Sequence, residues 1–265
     1  MTTPDFKDHF SRHAELYRRF RPTYPPEVFA WLASLCEHHD RALDVGTGNG
    51  QAAHGLAPHF AEVIATDASA SQIAQTEPHP KIRYAVAPAE DASRDRAQPP
   101  VGSEGGELVA AGSVDLVLAA QALHWFDFER FFAECRRVLR PGGVVAALTY
   151  YHPNVTPEID PILHRYIDHV RADWPPERRF VDTGYRTIDF PFQPEIALPS
   201  SLVMRLDLDL EGFAGYLATW SAAQRHRERT GLDPRAGFLA ELAAAWGDPA
   251  LTRPVTFPLG GRIGR

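Results

Sequence analysis

The feature that most constrains this chain is a glycine turn lying where a short apolar strand hands over to a helix. Ala42-Leu43-Asp44-Val45 runs directly into Gly46-Thr47-Gly48-Asn49-Gly50, and a helical stretch follows over Gln51–Leu56 before Pro58. Glycines at such a junction let the backbone approach a ligand closely, and the first N–H groups of the helix have no partners inside it. In an open α/β sheet this point is the carboxyl edge of a strand, where ligands bind.

The flanking sequence repeats the strand–helix rhythm. Pro25-Pro26 opens a helix with Val28, Trp31, Leu32 and Leu35 at i, i+3, i+4, i+7 spacing. A second strand, EVIATD, ends at Asp67, a third, IRYAVA, ends near Pro88, and a fourth, VDLVLAA, spans 114–120. Asp127 is the expected N-cap of a helix carrying Phe128, Phe131, Phe132, Cys135, Val138 and Leu139 on one face. Arg140-Pro141-Gly142-Gly143 ends it and turns into a fifth strand, VVAALTY. Short connections between alternating strands and helices imply an α/β, doubly wound, mostly parallel sheet with helices on both faces.

Four regions follow. Residues 1–23 form an aromatic and basic N-terminal lid segment, expected to be mobile and to order on ligand binding, 24–150 the ligand-binding core, 151–200 a small cap, and 201–265 the completion of the sheet. In the last region the pattern predicts a strand at 202–209, a helix at 211–224, a second helix opened by Asp233-Pro234, and a final strand, RPVTFPL. Residues 91–113 are polar and rich in Gly, Pro and Ala, and read as a long surface insertion.

A formal net charge of −7 argues against a nucleic-acid partner, which requires a basic face to displace counterions. No apolar run approaches the roughly 18–20 residues that span a bilayer, and no leader opens the chain, so the expectation is a cytoplasmic protein with no membrane partner, a monomer or weak dimer. Cys36 and Cys135 fall on apolar helix faces and read as buried free thiols. His9 and His13 have ligand-like i,i+4 spacing but no further ligand at motif distance, so no metal site is expected.

The acids around the glycine turn narrow the ligand. Gly48-Asn49-Gly50-Gln51-Ala52-Ala53 satisfies a dinucleotide pattern, and Asp67, 19 residues past Gly48, suits a ribose diol in either ligand class. No Arg or Lys stands within 68–75 to hold a 2′-phosphate, which disfavours NADP. Asp44 separates the remaining cases. A dianionic pyrophosphate is ill served by a carboxylate at its turn, whereas the ammonium and sulfonium of S-adenosylmethionine both gain from one.

ALDVGTGNGQ at 42–51 resembles the first motif of class I S-adenosylmethionine-dependent methyltransferases, and four later segments resemble their further motifs in order: Asp67, Ala89-Glu90-Asp91, AAQALHWFD at 119–127 and RVLRPGG at 137–143. Outside that stretch, YRRFRPTYPPEV, GYRTIDFPF, TWSAAQR, LDPRAGF and RPVTFPLGGRIGR are similar to enzymes related to trans-aconitate methyltransferases. The resemblance implies a Rossmann-like methyltransferase fold with seven strands and a final antiparallel strand near 253–259. It also implies S-adenosyl-L-methionine as cofactor, held by Asp44, Gly46, Thr47, Gly48, Gly50, Asp67, Ala68, Ala89, Glu90 and Gln121. Tyr17 and Arg21 would close over it, Arg21 meeting the methionyl carboxylate.

On the acceptor side stand His124, Trp125 and Tyr150, with His124 as the catalytic base or acceptor-orienting group. Trp125 and Phe126 also read as core, and Trp220 lies on the apolar stripe Phe213, Tyr216, Leu217 and reads as buried. A carboxylate acceptor needs no base, whereas a phenol, alcohol or amine does. The partner is therefore a small-molecule methyl acceptor, with an organic carboxylate as first reading and a quinone or other lipophilic acceptor as second. A non-catalytic S-adenosylmethionine binder and an NAD-dependent oxidoreductase are the remaining alternatives.

Overall fold

The computed structural model describes residues 21–97 and 107–265. Tyr17, His9, His13, most of the expected lid and the middle of the 91–113 insertion lie outside the described residues. The elements are α1 (Pro26–Ser34), β1 (Arg41–Val45), α2 (Gln51–Leu56), β2 (Glu62–Asp67), α3 (Ala70–Ile73), β3 (Ile82–Val86), β4 (Val114–Ala120), α4 (Phe128–Val138), β5 (Leu139–Tyr150), α5 (Asp160–His169), α6 (Arg178–Asp182), β6 (Val203–Leu208), α7 (Leu210–Ala218), α8 (Ser221–Thr230), α9 (Leu239–Trp246) and β7 (Arg253–Gly264).

They build one seven-stranded sheet in the order β3-β2-β1-β4-β5-β7-β6. Strands β1 to β5 run parallel, and β7 is antiparallel to both its neighbours. The order reverses between β1 and β4, and that switch point opens a crevice at the carboxyl edge. Alternate residues of each strand feed two buried layers. Ala42, Leu116, Leu118, Ala146 and Leu148 face one, while Leu43, Val45, Val117, Ala119 and Val145 face the other. Asp44 continues the Ala42 face and is buried there.

Several expectations need correction. Residues 140–143, read as a turn, lie inside β5 as a bulge, because Leu139 pairs with Val114 and Val144 with Leu116. The displaced Arg140 meets buried Asp115 at 3.0 Å, and Asp115 also accepts from Arg41 N at 2.8 Å. The helix expected at 211–224 breaks into α7 and α8, since Thr219 Oγ1 turns back onto Tyr216 O and Trp220 is extended. Asp233 does not cap a helix. It pairs with Arg235 and Arg227, and α9 begins at Leu239. Cys36 sits just past the end of α1, and both cysteines are buried free thiols.

The ends of the insertion are docked rather than loose. Ala92, Leu108 and Val109 are buried, Leu108 N donates to Ser93 O at 2.7 Å, and α4 holds both sides through Glu134 to Ala92 N and Arg137 to Val109 O. Among the described residues no helix is long and apolar enough to cross a membrane, and no group of acids, histidines and cysteines is placed to hold a metal.

Candidate functional site

The glycine turn, the end of β2 and the end of β4 meet at the switch point. Thr47 N donates to Thr66 O at 2.9 Å, tying the turn to β2. Gly46 has φ +66°, and a Cβ there would lie 2.7 Å from the Ala122 Cβ and 3.1 Å from the Phe126 ring, so the turn can pack under the β4 edge only without a side chain. Gly50, at φ +89°, leaves room for Tyr84, whose Oη would be 2.6 Å from an added Cβ.

Asp44 is the chemical centre of this turn. One carboxylate oxygen accepts from Thr47 Oγ1 at 2.5 Å, and the other is buried with no hydrogen-bond partner among the described residues. Burial, reinforced weakly by neighbouring Asp67, pushes its carboxyl up to about 7. A buried carboxylate with an unused oxygen is costly alone and is relieved by a cationic ligand group. Tyr84 Oη is likewise buried without a partner among the described residues, and burial together with the Asp44 charge pushes its phenol up to about 12. Sequence reading missed Tyr84, whose alternation in β3 marks only a facing and not a neighbour.

Asp67 closes the other side. Its two oxygens accept from Gly48 N at 2.9 Å and Ser69 N at 2.8 Å, so the acid bridges the glycine turn to the turn after β2. Ala68 stands exposed beside it. Ala89 is buried after β3, and Glu90 Oε1 accepts from Asp127 N at 2.9 Å, fastening that turn to the start of α4. Asp91 turns to Ser93 and Arg96. The structure thus brings Asp44, Gly46, Thr47, Gly48, Gly50, Asp67, Ala68, Ala89 and Glu90 around one edge.

Gln121, expected at the cofactor, and His124, Trp125 and Tyr150, expected on the acceptor side, form a second group at the ends of β4 and β5. Gln121 has φ +54°, a conformation that costs a non-glycine residue energy, and its Oε1 accepts from buried Thr149 Oγ1 at 2.6 Å. Tyr185 has φ +63° and is fully buried, and its Oη lies 3.1 Å from His124 Nδ1. Gln121–Thr149 and Tyr185–His124 are thus two polar pairs, each with one residue at positive φ. Burial, with the Arg178 charge second, pushes His124 down to about 3. Trp125 is 36% exposed, so it is not core, while Phe126 is half-buried over Gly46.

Tyr150 is buried, and its Oη accepts from Arg21 Nη1 at 3.0 Å. Arg21 also reaches Thr219 O at 3.0 Å, which places it across the end of α7. Beyond Tyr150 stand His152, Trp174 and Arg178, none of which the sequence singled out. They come from the β5 exit, from the segment after α5, and from α6, and only the fold brings them together.

Comparison with known proteins identifies the family. Residues 43–147 match the family model described as a methyltransferase domain. A Dictyostelium discoideum protein named as a methyltransferase is 31% identical over 229 residues, covering 83% of this chain and 79% of its own length. A Saccharomyces cerevisiae protein named as an S-adenosylmethionine-dependent methyltransferase is 30% identical over 160 residues, covering 57% of this chain and 50% of its own. A solved structure from Anaeromyxobacter dehalogenans, named as a type II methyltransferase, superposes with a TM-score of 0.83 at 46% identity, covering 93% of this chain and 98% of that one.

Proposed function

Because the chain belongs to the class I S-adenosylmethionine-dependent methyltransferases, we propose that its methyl acceptor is a small organic carboxylate. The cofactor is S-adenosyl-L-methionine, and the family membership closes the dinucleotide alternative. When bound, it supplies an electrophilic methyl carbon on a sulfonium, open to in-line attack. In this reading Asp44 holds the cationic methionyl end, and Asp67 accepts from the ribose hydroxyls. The Ala89–Glu90 turn lines the adenine side, and Gln121 lies beside the sulfonium.

The observation that carries the acceptor class is the state of His124. Its imidazole sits 3.1 Å from the Tyr185 hydroxyl, and burial with the Arg178 charge holds it down to about 3. His152 is also pushed down to about 3, chiefly by burial, and burial raises the Tyr185 and Tyr216 phenols well above their ordinary range. None of these groups takes up a proton effectively near neutrality, which general-base catalysis of an alcohol, phenol or ammonium requires. A carboxylate attacks as it stands. His124 then orients the acceptor, and Tyr150, Tyr185 and the cap exclude water. The likeness of the tail segments to trans-aconitate methyltransferases supports the same class.

The test is transfer of labelled methyl from S-adenosylmethionine to a panel of small acids, phenols and amines. Acids are expected to yield label that mild alkali releases as methanol, the behaviour of a methyl ester. Label found only in phenols or amines overturns the carboxylate reading.

Replacing Asp67 by Ala probes the cofactor half. S-adenosylhomocysteine affinity is expected to fall by about 1.5–3 kcal/mol, the usual worth of charged hydrogen bonds. Because Asp67 also accepts two backbone N–H groups, the ligand-free protein is expected to lose about 1–2 kcal/mol as well. That differs from the bare strand-end acid the sequence suggests. Calorimetric titration showing unaltered affinity removes Asp67 from the site.

A further inference from the structure

We propose that Arg178, together with the indole N–H of Trp174, holds a carboxylate of the methyl acceptor, the group that fixes which acids this enzyme accepts. The inference rests on the carboxylate reading above and names the residues that would recognise that substrate. Arg178 stands in the first turn of α6, with its guanidinium carbon 4.6 Å from the centre of the Trp174 ring. That stacking fixes the plane of the fork, which suits two-pronged recognition of a carboxylate. Nη2 lies 3.1 Å from His152 Nε2, and Nε donates to Asp182 at 2.8 Å. Nη1 makes no hydrogen bond among the described residues.

Two acids neighbour it in sequence. Asp182 is half-exposed and takes only the Nε edge, and Glu177 makes no bond to Arg178. The ion pair with Asp182 and the contact with His152 therefore leave Nη1 available. Among the described residues Trp174 Nε1 is buried with no partner, which leaves a donor in want of an acceptor beside the same guanidinium. The location is the acceptor side of the site. Arg178 is the charge felt in common by His124, His152, Tyr185 and Tyr216, and its side chain is only 17% exposed. Asp182 balances the charge on one edge, and the stacked guanidinium and the buried Trp174 N–H still present donors that an incoming carboxylate can use.

The experiment uses the full chain saturated with S-adenosylhomocysteine, titrated calorimetrically with aliphatic di- and tricarboxylic acids of four to six carbons and with their neutral amides. Arg178→Met is expected to weaken the acids about 10- to 100-fold and the amides less than about threefold. Arg178→Lys is expected to recover part of the loss, since it restores charge without the fork. Trp174→Phe keeps the ring and removes the donor, with an expected loss of about 3- to 10-fold for acids alone. S-adenosylhomocysteine affinity, unchanged within about twofold, shows that each variant is folded. Should Arg178→Met fail to bind it, Arg178→Lys carries the test, with about a tenfold loss for acids expected. If no acid binds the wild-type complex, or acids bind the Arg178 variants as tightly, the Arg178 assignment falls while cofactor binding leaves the methyltransferase site standing. If S-adenosylhomocysteine itself does not bind wild type, the cofactor site and this inference fall together.

Discussion

Replacing Asp44 by Asn is expected to make the ligand-free protein more stable at pH 8 while removing most of its affinity for S-adenosylhomocysteine. The carboxyl is raised from an ordinary value near 3.8 to about 7 by burial. Stability linked to a raised pKa is fully present below 3.8 and is lost as pH rises through 7, so above neutrality the ionised acid weakens the empty fold. The amide escapes that cost and still accepts from Thr47 Oγ1. A gain of roughly 1–3 kcal/mol at pH 8 is expected, shrinking towards zero at acid pH. Affinity for S-adenosylhomocysteine is expected to drop by roughly 2–4 kcal/mol, because the ammonium loses its counter-charge. In wild type the same titration makes binding weaken as pH falls below 7, by up to about tenfold per unit. Denaturant unfolding at pH 5 and 8, paired with calorimetry, checks both halves. Unchanged affinity, or an Asn variant less stable at pH 8, refutes the role given to Asp44.

The second large effect belongs to Trp220. Replacing it by Ala is expected to cost about 3–5 kcal/mol of unfolding free energy, the range for deleting a buried aromatic. Trp220 is 1% exposed, and its ring meets His152, Trp174, Tyr166 and Tyr216 at 5.0–5.8 Å between centres. It joins the β5 exit, α5 and α7, so its loss loosens the cap and spares the glycine turn. S-adenosylhomocysteine affinity below the melting range is therefore expected to hold within about threefold. A stability change under about 1 kcal/mol would mean the cap repacks freely.

The contrast between these two residues explains what the sequence made legible. Asp44 and the strands β1, β2 and β4 are local signals: an apolar run of fixed length, a glycine turn at its end, an acid within it. Burial of parallel strands on both faces leaves that run uninterrupted, so its limits can be read directly. Asp127 was equally legible, because a cap and its helix are adjacent in sequence. Arg178, His152 and Tyr185 gave no signal, since their meaning comes from contacts between segments tens of residues apart. Local rules also misled where tertiary packing overrode them. Trp220 breaks the helix written through 211–224 to reach the aromatic cluster, and Asp233 spends its oxygens on two arginines rather than on a helix start.

The sheet order has a consequence for the timing of folding. Among the described residues strand β6 pairs only with β7, and β7 lies between β5 and β6. During synthesis β1 to β5 can assemble as they emerge, but β6 has no hydrogen-bonded neighbour until residues 253–264 have been made. Until that moment the edge of β5 is open and its apolar flank, Ala146 to Leu148, is a template for any other strand. The growing chain therefore passes through a vulnerable interval until residues 253–264 are made, and ribosomal pausing or truncation before Arg253 would leave a species prone to aggregation.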